Sequence, residues 1–248
     1  MTIQSKKALV IGGSSGSGRE IALRLAESGV DTTVVARDLA KLETLKSANP
    51  NITVLAEDAA SEGSAARLLS EHEPDLLILS AGHAQPMAPF FEQSWEAFSG
   101  AWNIDTKIAH AFLSAAITLP MASGSTIINF SSGAGLSGSR LSGGYAGAKR
   151  MQHFLTEYAQ KEAALRNLDL NFYSIIPKQL IAETELGQAA GQAYAEANGK
   201  TLTDFMNQWE QPLTAKKISD YIIELLSHKE LFPEQSYFAT GTGITLNN

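Results

Sequence analysis

The 248-residue chain has no cysteine, which excludes disulfide frameworks, thiolate metal sites and cysteine nucleophiles. It also lacks any apolar run near the roughly 18 residues of a membrane span. Met1 to Lys7 passes into a strand-like run without a signal-peptide core. Positive charge is in deficit, with 19 Lys and Arg against 26 Asp and Glu and a net charge of −7. Nucleic acid and anionic membrane surfaces need a basic face, so neither is expected as the main partner. The histidines, His72, His83, His110, His153 and His228, show no ligand spacing, and no metal is expected. No Pro/Gly/Ser-rich linker, charge block or internal repeat divides the chain. One domain over 1–248 follows, and a soluble cytoplasmic protein is the expected setting. With 44% apolar residues, there is ample material for a large core.

The chain is organised around Ser131 to Lys149, a Gly/Ser-rich loop that follows the apolar run Ile127-Ile128-Asn129-Phe130. It leads into a helical pattern at Met151, Phe154, Leu155 and Tyr158. Tyr145 and Lys149 are four apart and share one helix face. An ammonium there favours the phenolate, which makes the tyrosine a candidate general acid/base. Ser132, at the strand's end, is placed to hydrogen-bond the same substrate oxygen. Tyr-x-x-x-Lys alone is a weak signal, and its weight comes from the rest of the chain.

Ala8 to Ile11 reads as a buried parallel strand, and Gly12-Gly13-Ser14-Ser15-Gly16-Ser17-Gly18 as a glycine-rich turn into a helix that ends near Gly29. Glycines let the backbone approach a pyrophosphate, and the helix N-terminus offers it free N–H groups. A second strand, Thr32 to Ala36, is followed by Arg37-Asp38. An acid at this position reads a free ribose 2′-hydroxyl and an arginine reads a 2′-phosphate. Arg37 therefore favours NADP(H), with NAD(H) kept open because Asp38 either accepts from the ribose or caps the next helix. A third strand runs from Ile52 to Ala56, and Asp58 beyond it either accepts from the adenine amino group or caps a helix starting near Ser61. A fourth strand, Leu76 to Leu79, ends in Ser80-Ala81-Gly82. Trp95 to Leu119 reads as one long helix, Leu170 to Ile176 as a sixth strand, and Tyr237–Thr240 or Ile244–Leu246 as the seventh. The expected fold is α/β, a Rossmann-type doubly wound parallel sheet of about seven strands with helices on both faces.

Assembled in this order, the features resemble the short-chain dehydrogenase/reductase family of small single-domain type, over nearly the whole chain. The resemblance places the cofactor on Gly12, Ser14, Ser15, Gly16, Ser17, Gly18, Arg37, Asp58, Ala59, Ser80, Ala81, Gly82, Tyr145, Lys149, Pro177 and Thr184. It implies that Tyr145 protonates a carbonyl oxygen, that Lys149 binds the nicotinamide ribose and supports the tyrosine, and that Ser132 orients the carbonyl. The family's relay asparagine falls on Asp105 or, two residues off register, on Asn103. The chain departs from the family pattern at Ile11, Ser80, Asp105 and Lys178. Oligomerisation as a homodimer or homotetramer, through the long helices after strands four and five, is a further implication.

The segment 183–212 is expected to form a substrate lid with apolar patterns at Leu186, Ala190, Ala193, Ala197 and at Leu202, Phe205, Met206, Trp209. Glu183, Glu185, Glu196, Asp204 and Glu210 against Lys200 make it acidic, which disfavours anionic substrates. The expected function is NADP(H)-dependent hydride transfer to or from a neutral, hydrophobic carbonyl or alcohol. Two alternatives stand beside it, an NAD-dependent alcohol or polyol dehydrogenase and a non-catalytic nucleotide-sensing regulator. The four departures favour the regulator.

Overall fold

The computed structural model describes Ile3 and residues 6–119 and 121–247. The stretch Met1 to Lys7 therefore lies largely outside the described residues. Strands β4 (Leu76–Leu79) and β5 (Ser125–Phe130) are buried at every position, so each needs cover on both faces. They occupy the middle of an eight-stranded sheet with β1 (Lys7–Ile11), β2 (Asp31–Ala36), β3 (Thr53–Ala56), β6 (Leu170–Pro177), β7 (Ser236–Thr240) and β8 (Gly243–Leu246). The order is β3-β2-β1-β4-β5-β6-β7-β8. β1 to β7 are parallel, and β8 returns antiparallel to β7. The sheet thus has one strand more than expected, because both candidate C-terminal segments are strands. A two-residue turn at Gly241 and Thr242 folds them into a hairpin.

One face of the sheet is covered by α1 (Gly16–Glu27), α2 (Leu39–Ala48) and α10 (Ala215–Ser227). The other is covered by α3 (Ser64–His72), α5 (Lys107–Thr118) and α7 (Gly143–Leu165). Phe112 and Phe172 are fully buried on the latter side, each stabilising the fold by about 1.5–3 kcal/mol relative to exposure. The chain order reverses between β1 and β4, and ligands of such sheets bind at the carboxyl ends of the strands beside that reversal.

Two helices differ from the sequence pattern. The expected helix over Trp95 to Leu119 is α4 (Trp95–Ala101), a wider π turn over Trp102–Thr106, and α5. An outside donor, Gln152 Nε2 of α7, takes the Asp105 carbonyl of this turn at 3.3 Å, and such insertions widen helices. In α7 the buried stripe is not Met151, Phe154, Leu155 and Tyr158. Phe154 and Tyr158 are about half exposed, while Lys149, Gln152, His153 and Thr156 face inward with Ala148, Ala159 and Ala163. The helix meets β5 through polar groups: Asn129 Nδ2 donates to Gln152 O at 3.1 Å and to Thr156 Oγ1 at 2.9 Å.

Candidate active site

The glycine-rich turn leaves β1 with Gly12 at φ +85°, where a Cβ would lie 2.4 Å from Ala81 Cα. Only glycine fits this close approach to the chain leaving β4. Ser80, one of the departures from the family pattern, donates through its Oγ to the carbonyls of Ile11 at 3.2 Å and Gly12 at 3.3 Å. The hydroxyl ties the two strand ends together, and Ile11 itself is fully buried. Ser15 stands at the N-cap of α1 without a side-chain cap bond. The first N–H groups of α1 therefore remain open to an anion.

At the other end, the two serines after β5 separate into different jobs. Ser131 is buried and donates to Lys149 O at 2.8 Å, which fixes the register of α7 against the strand. Ser132 is half-buried, and its Oγ accepts from Ala134 N at 3.2 Å, which leaves the hydroxyl proton to donate elsewhere. At Gly144 a Cβ would stand 1.6 Å from Phe98 O. α4 therefore presses directly on the first turn of α7 and sets the position of Tyr145. The Tyr145 hydroxyl makes no hydrogen bond among the described residues and lines the cavity.

Lys149 is 5% exposed. Its Nζ lies 5.5 Å from the centroid of the Tyr145 ring and donates to Phe130 O at 3.2 Å. Asp105 Oδ2 approaches this ammonium to 3.5 Å, while Asp105 Oδ1 accepts from His83 N at 2.7 Å. Asp105 is fully buried, whereas Asn103 is exposed and donates to Ser99 Oγ at 3.4 Å. Of the two candidates, only Asp105 faces Lys149. Burial pushes its carboxyl above the usual aspartate range, and the Lys149 ammonium and the His83 N–H pull it back.

Both ends open into one cavity of about 960 Å³, the upper part of the range for small-molecule sites. Gly12, Ser14, Ser15, Gly16, Ser17, Gly18, Arg37, Asp58, Ser80, Ala81, Gly82, Ser132, Tyr145, Lys149, Pro177 and Thr184 all line it. Two of the expected residues do not. Asp105 sits behind Lys149, and the Ala59 side chain packs into the core with Leu68 and Leu69. Asp58 does not cap a helix at Ser61, since α3 begins at Ser64. It accepts from Ala60 N at 3.0 Å and closes its own turn. Asp38 caps α2 by accepting from Lys41 N at 3.0 Å, which commits one of its oxygens away from a ribose. Arg37 is exposed and has no ion-pair or hydrogen-bond partner among the described residues. Lys178 points out of the site, its Nζ 4.4 Å from the centroid of Phe238.

Lys41, Gln85, Met87, Gln179, Ile181 and Leu186 also line the cavity. Sequence reading passed over Lys41 and the pair Gln85 and Met87. Position was the available signal: Lys41 lies in the first turn of the helix after Arg37, and Gln85 and Met87 follow the Ser-Ala-Gly turn. The segment 183–212 contributes α8 (Glu185–Ala197) and α9 (Leu202–Met206), joined by stacking of Tyr194 on Phe205 at 5.9 Å. Thr184 caps α8 by accepting from Gly187 N at 2.9 Å. The acidity expected here is partly spent, because Glu183 accepts from Ala215 N at 2.9 Å and Glu185 pairs with Lys41. Among the described residues there is no cluster of three or more metal-binding side chains, and no helix is long and apolar enough to cross a membrane.

The cavity fits a dinucleotide. Its glycine cradle excludes a Cβ, its helix N-terminus is uncapped by a side chain, and an unpaired guanidinium stands beside it.

Comparison with known proteins agrees with this geometry. A family model described as short chain dehydrogenase matches residues 6–194. The L-xylulose reductase of Mesocricetus auratus is 32% identical over 106 residues, 42% of this chain and 43% of that protein. The NADPH-dependent pterin aldehyde reductase of Arabidopsis thaliana is 31% identical over 172 residues, 64% of this chain and 70% of that protein. The D-erythrulose reductase of Gallus gallus is 26% identical over 105 residues, and the match spans less than half of its length and of the L-xylulose reductase. The crystal structure of levodione reductase superposes with a TM-score of 0.80 over 96% of this chain and 97% of that one, at 20% identity, which is a likeness of fold. The matched residues run from β1 into α8 and hold the glycine turn, Ser132, Tyr145 and Lys149; the chain belongs to the short-chain dehydrogenase family.

Proposed function

We propose that this protein is an NADP(H)-dependent oxidoreductase that reduces a neutral carbonyl compound, or runs the reverse alcohol oxidation. One observation carries the reading: Ser132, Tyr145 and Lys149 stand at one end of a cavity whose other end is the glycine turn and Arg37. A bound nicotinamide supplies or accepts the hydride. Gly12 to Gly18 and the N-terminus of α1 hold its pyrophosphate, and Arg37 reads the 2′-phosphate.

The remaining chemistry belongs to the chain. The Tyr145 hydroxyl donates its proton to the carbonyl oxygen, and the Ser132 hydroxyl donates a hydrogen bond to the same atom. The Lys149 ammonium, held by Phe130 O and Asp105, favours the phenolate left by that transfer. Asp105 is a positioning residue that fastens Lys149 to the backbone at His83. Met87, Leu180, Ile181 and Leu186 give the cavity an apolar wall, which supports a hydrophobic substrate. The same reading has the protein self-associate through α5 and α7, supported by the exposed Phe154, Tyr158 and Leu165.

Two of the four departures that favoured a regulatory protein lose their force, since Ser80 ties the strand ends and Lys178 turns away. The NADP assignment is tested by Arg37→Ala. Losing the phosphate reader should weaken NADPH binding at least about ten-fold, or 1.4 kcal/mol, and leave NADH affinity within about two-fold. Unchanged NADPH affinity would rule the assignment out.

A further inference from the structure

Two cations line the adenosine end of the cavity, Arg37 and Lys41, and four carboxylates share it, Asp38, Glu57, Asp58 and Glu185. Three of the carboxylates are held by the fold. Asp38 caps α2, Asp58 closes the turn at Ala60, and Glu57 pairs with Arg67 and accepts from Ser64 Oγ. The fourth is different. Glu185 comes from the first turn of α8, 144 residues from Lys41, and spans the cavity mouth to pair with the lysine. Both partners remain accessible, with side chains 39% exposed for Lys41 and 77% for Glu185.

We propose that Lys41 is a second reader of the cofactor's 2′-phosphate and that Glu185 holds its place until the phosphate arrives. The inference rests on the NADP reading. An ammonium beside an unpaired guanidinium makes a site for a doubly charged phosphate, which attracts Lys41 more strongly than a single carboxylate does. An exposed ion pair is weak and exchangeable, so the displacement needs no rearrangement of the core. Its consequence reaches the lid. Thr184, the N-cap of α8, already touches the glycine turn, where a Cβ on Gly16 would meet Thr184 Cγ2 at 3.1 Å. Releasing Glu185 removes the tie between α8 and α2 while the Thr184 cap on Gly187 stays in place.

The test is a fluorescence titration of the full chain with NADPH and NADH, using the wild type, Arg37→Ala, Lys41→Ala, Glu185→Gln and the Lys41→Ala/Glu185→Gln double variant. Lys41→Ala should weaken NADPH binding about ten-fold and leave NADH within about two-fold, matching the 1.4 kcal/mol of one phosphate contact. Glu185→Gln should tighten NADPH about two- to five-fold, the range of an exposed pair, and should have no effect once Lys41 is gone. If Lys41→Ala weakens both cofactors equally, the pair is only a clamp on the lid and the inference fails. It fails equally if Glu185→Gln leaves NADPH affinity unchanged. If Arg37→Ala costs NADPH binding and Lys41→Ala does not, this inference falls and the NADP reading stands. If neither variant affects NADPH, both fall.

Discussion

Replacing Tyr145 with phenylalanine is expected to lower turnover about 10²- to 10⁴-fold, the usual contribution of a positioned general acid/base, while NADPH affinity changes less than about three-fold. The substitution removes one hydroxyl and keeps the ring. The ring's place is set by backbone contacts on either side, Gly144 against Phe98 and Ser131 against the Lys149 carbonyl. That hydroxyl has no partner within the described chain, so its loss leaves no buried group unsatisfied and should not disturb folding. Steady-state rates with any accepted carbonyl substrate, together with the NADPH dissociation constant, check the expectation. Retained turnover would remove Tyr145 from the mechanism.

The second large effect is on stability. Asp105→Ala should destabilise the fold by about 3–5 kcal/mol, the cost of breaking a buried ion pair from one side. It strands the Lys149 ammonium, 5% exposed, and the His83 N–H that Asp105 Oδ1 accepts. Urea unfolding midpoints compared at constant slope measure the loss. Asp105→Asn separates the charge from the hydrogen bond, since an amide oxygen still accepts from His83. Burial raises the Asp105 carboxyl above its unfolded value, so the native state binds the proton more tightly than the unfolded chain. The stabilising contribution of that proton is therefore complete below the ordinary aspartate range and is lost as pH rises through the raised native value. Asp105→Asn has no such proton to lose, and its stability relative to wild type should increase with pH across that window. A pH-independent difference would show that folding leaves the Asp105 carboxyl at its unfolded value.

The features legible in the sequence are those that need only local pattern. The glycine turn is a strand, a turn and a helix in succession, and Tyr145 and Lys149 are one helical turn apart. Ser132 sits at the end of an apolar run. Each of these lines the cavity. What escaped depends on contacts between distant segments or on one residue of register. The π turn arises from Gln152 reaching the Asp105 carbonyl, 47 residues away, and it decides between Asp105 and Asn103. The aromatics Phe154 and Tyr158 of the α7 pattern stay about half exposed because the helix docks on β5 through Asn129, Gln152 and Thr156. Ser80 looked like a loss because composition does not show that its hydroxyl spans two carbonyls. Ala59, placed at the cofactor by the family resemblance, turns its side chain into the core, and no pattern along the chain shows that direction. The Lys41–Glu185 pair joins α2 to α8 and has no signature along the chain.

The central claim is that this cavity is a nicotinamide nucleotide site selective for the 2′-phosphate. Parallel titration of the wild-type protein with NADPH and NADH, followed by nicotinamide fluorescence, tests it most directly. The account predicts saturable binding of NADPH at least about ten-fold tighter than NADH, a difference of 1.4 kcal/mol or more. Equal affinities or a preference for NADH would contradict the role of Arg37, and binding of neither would contradict the cofactor site itself.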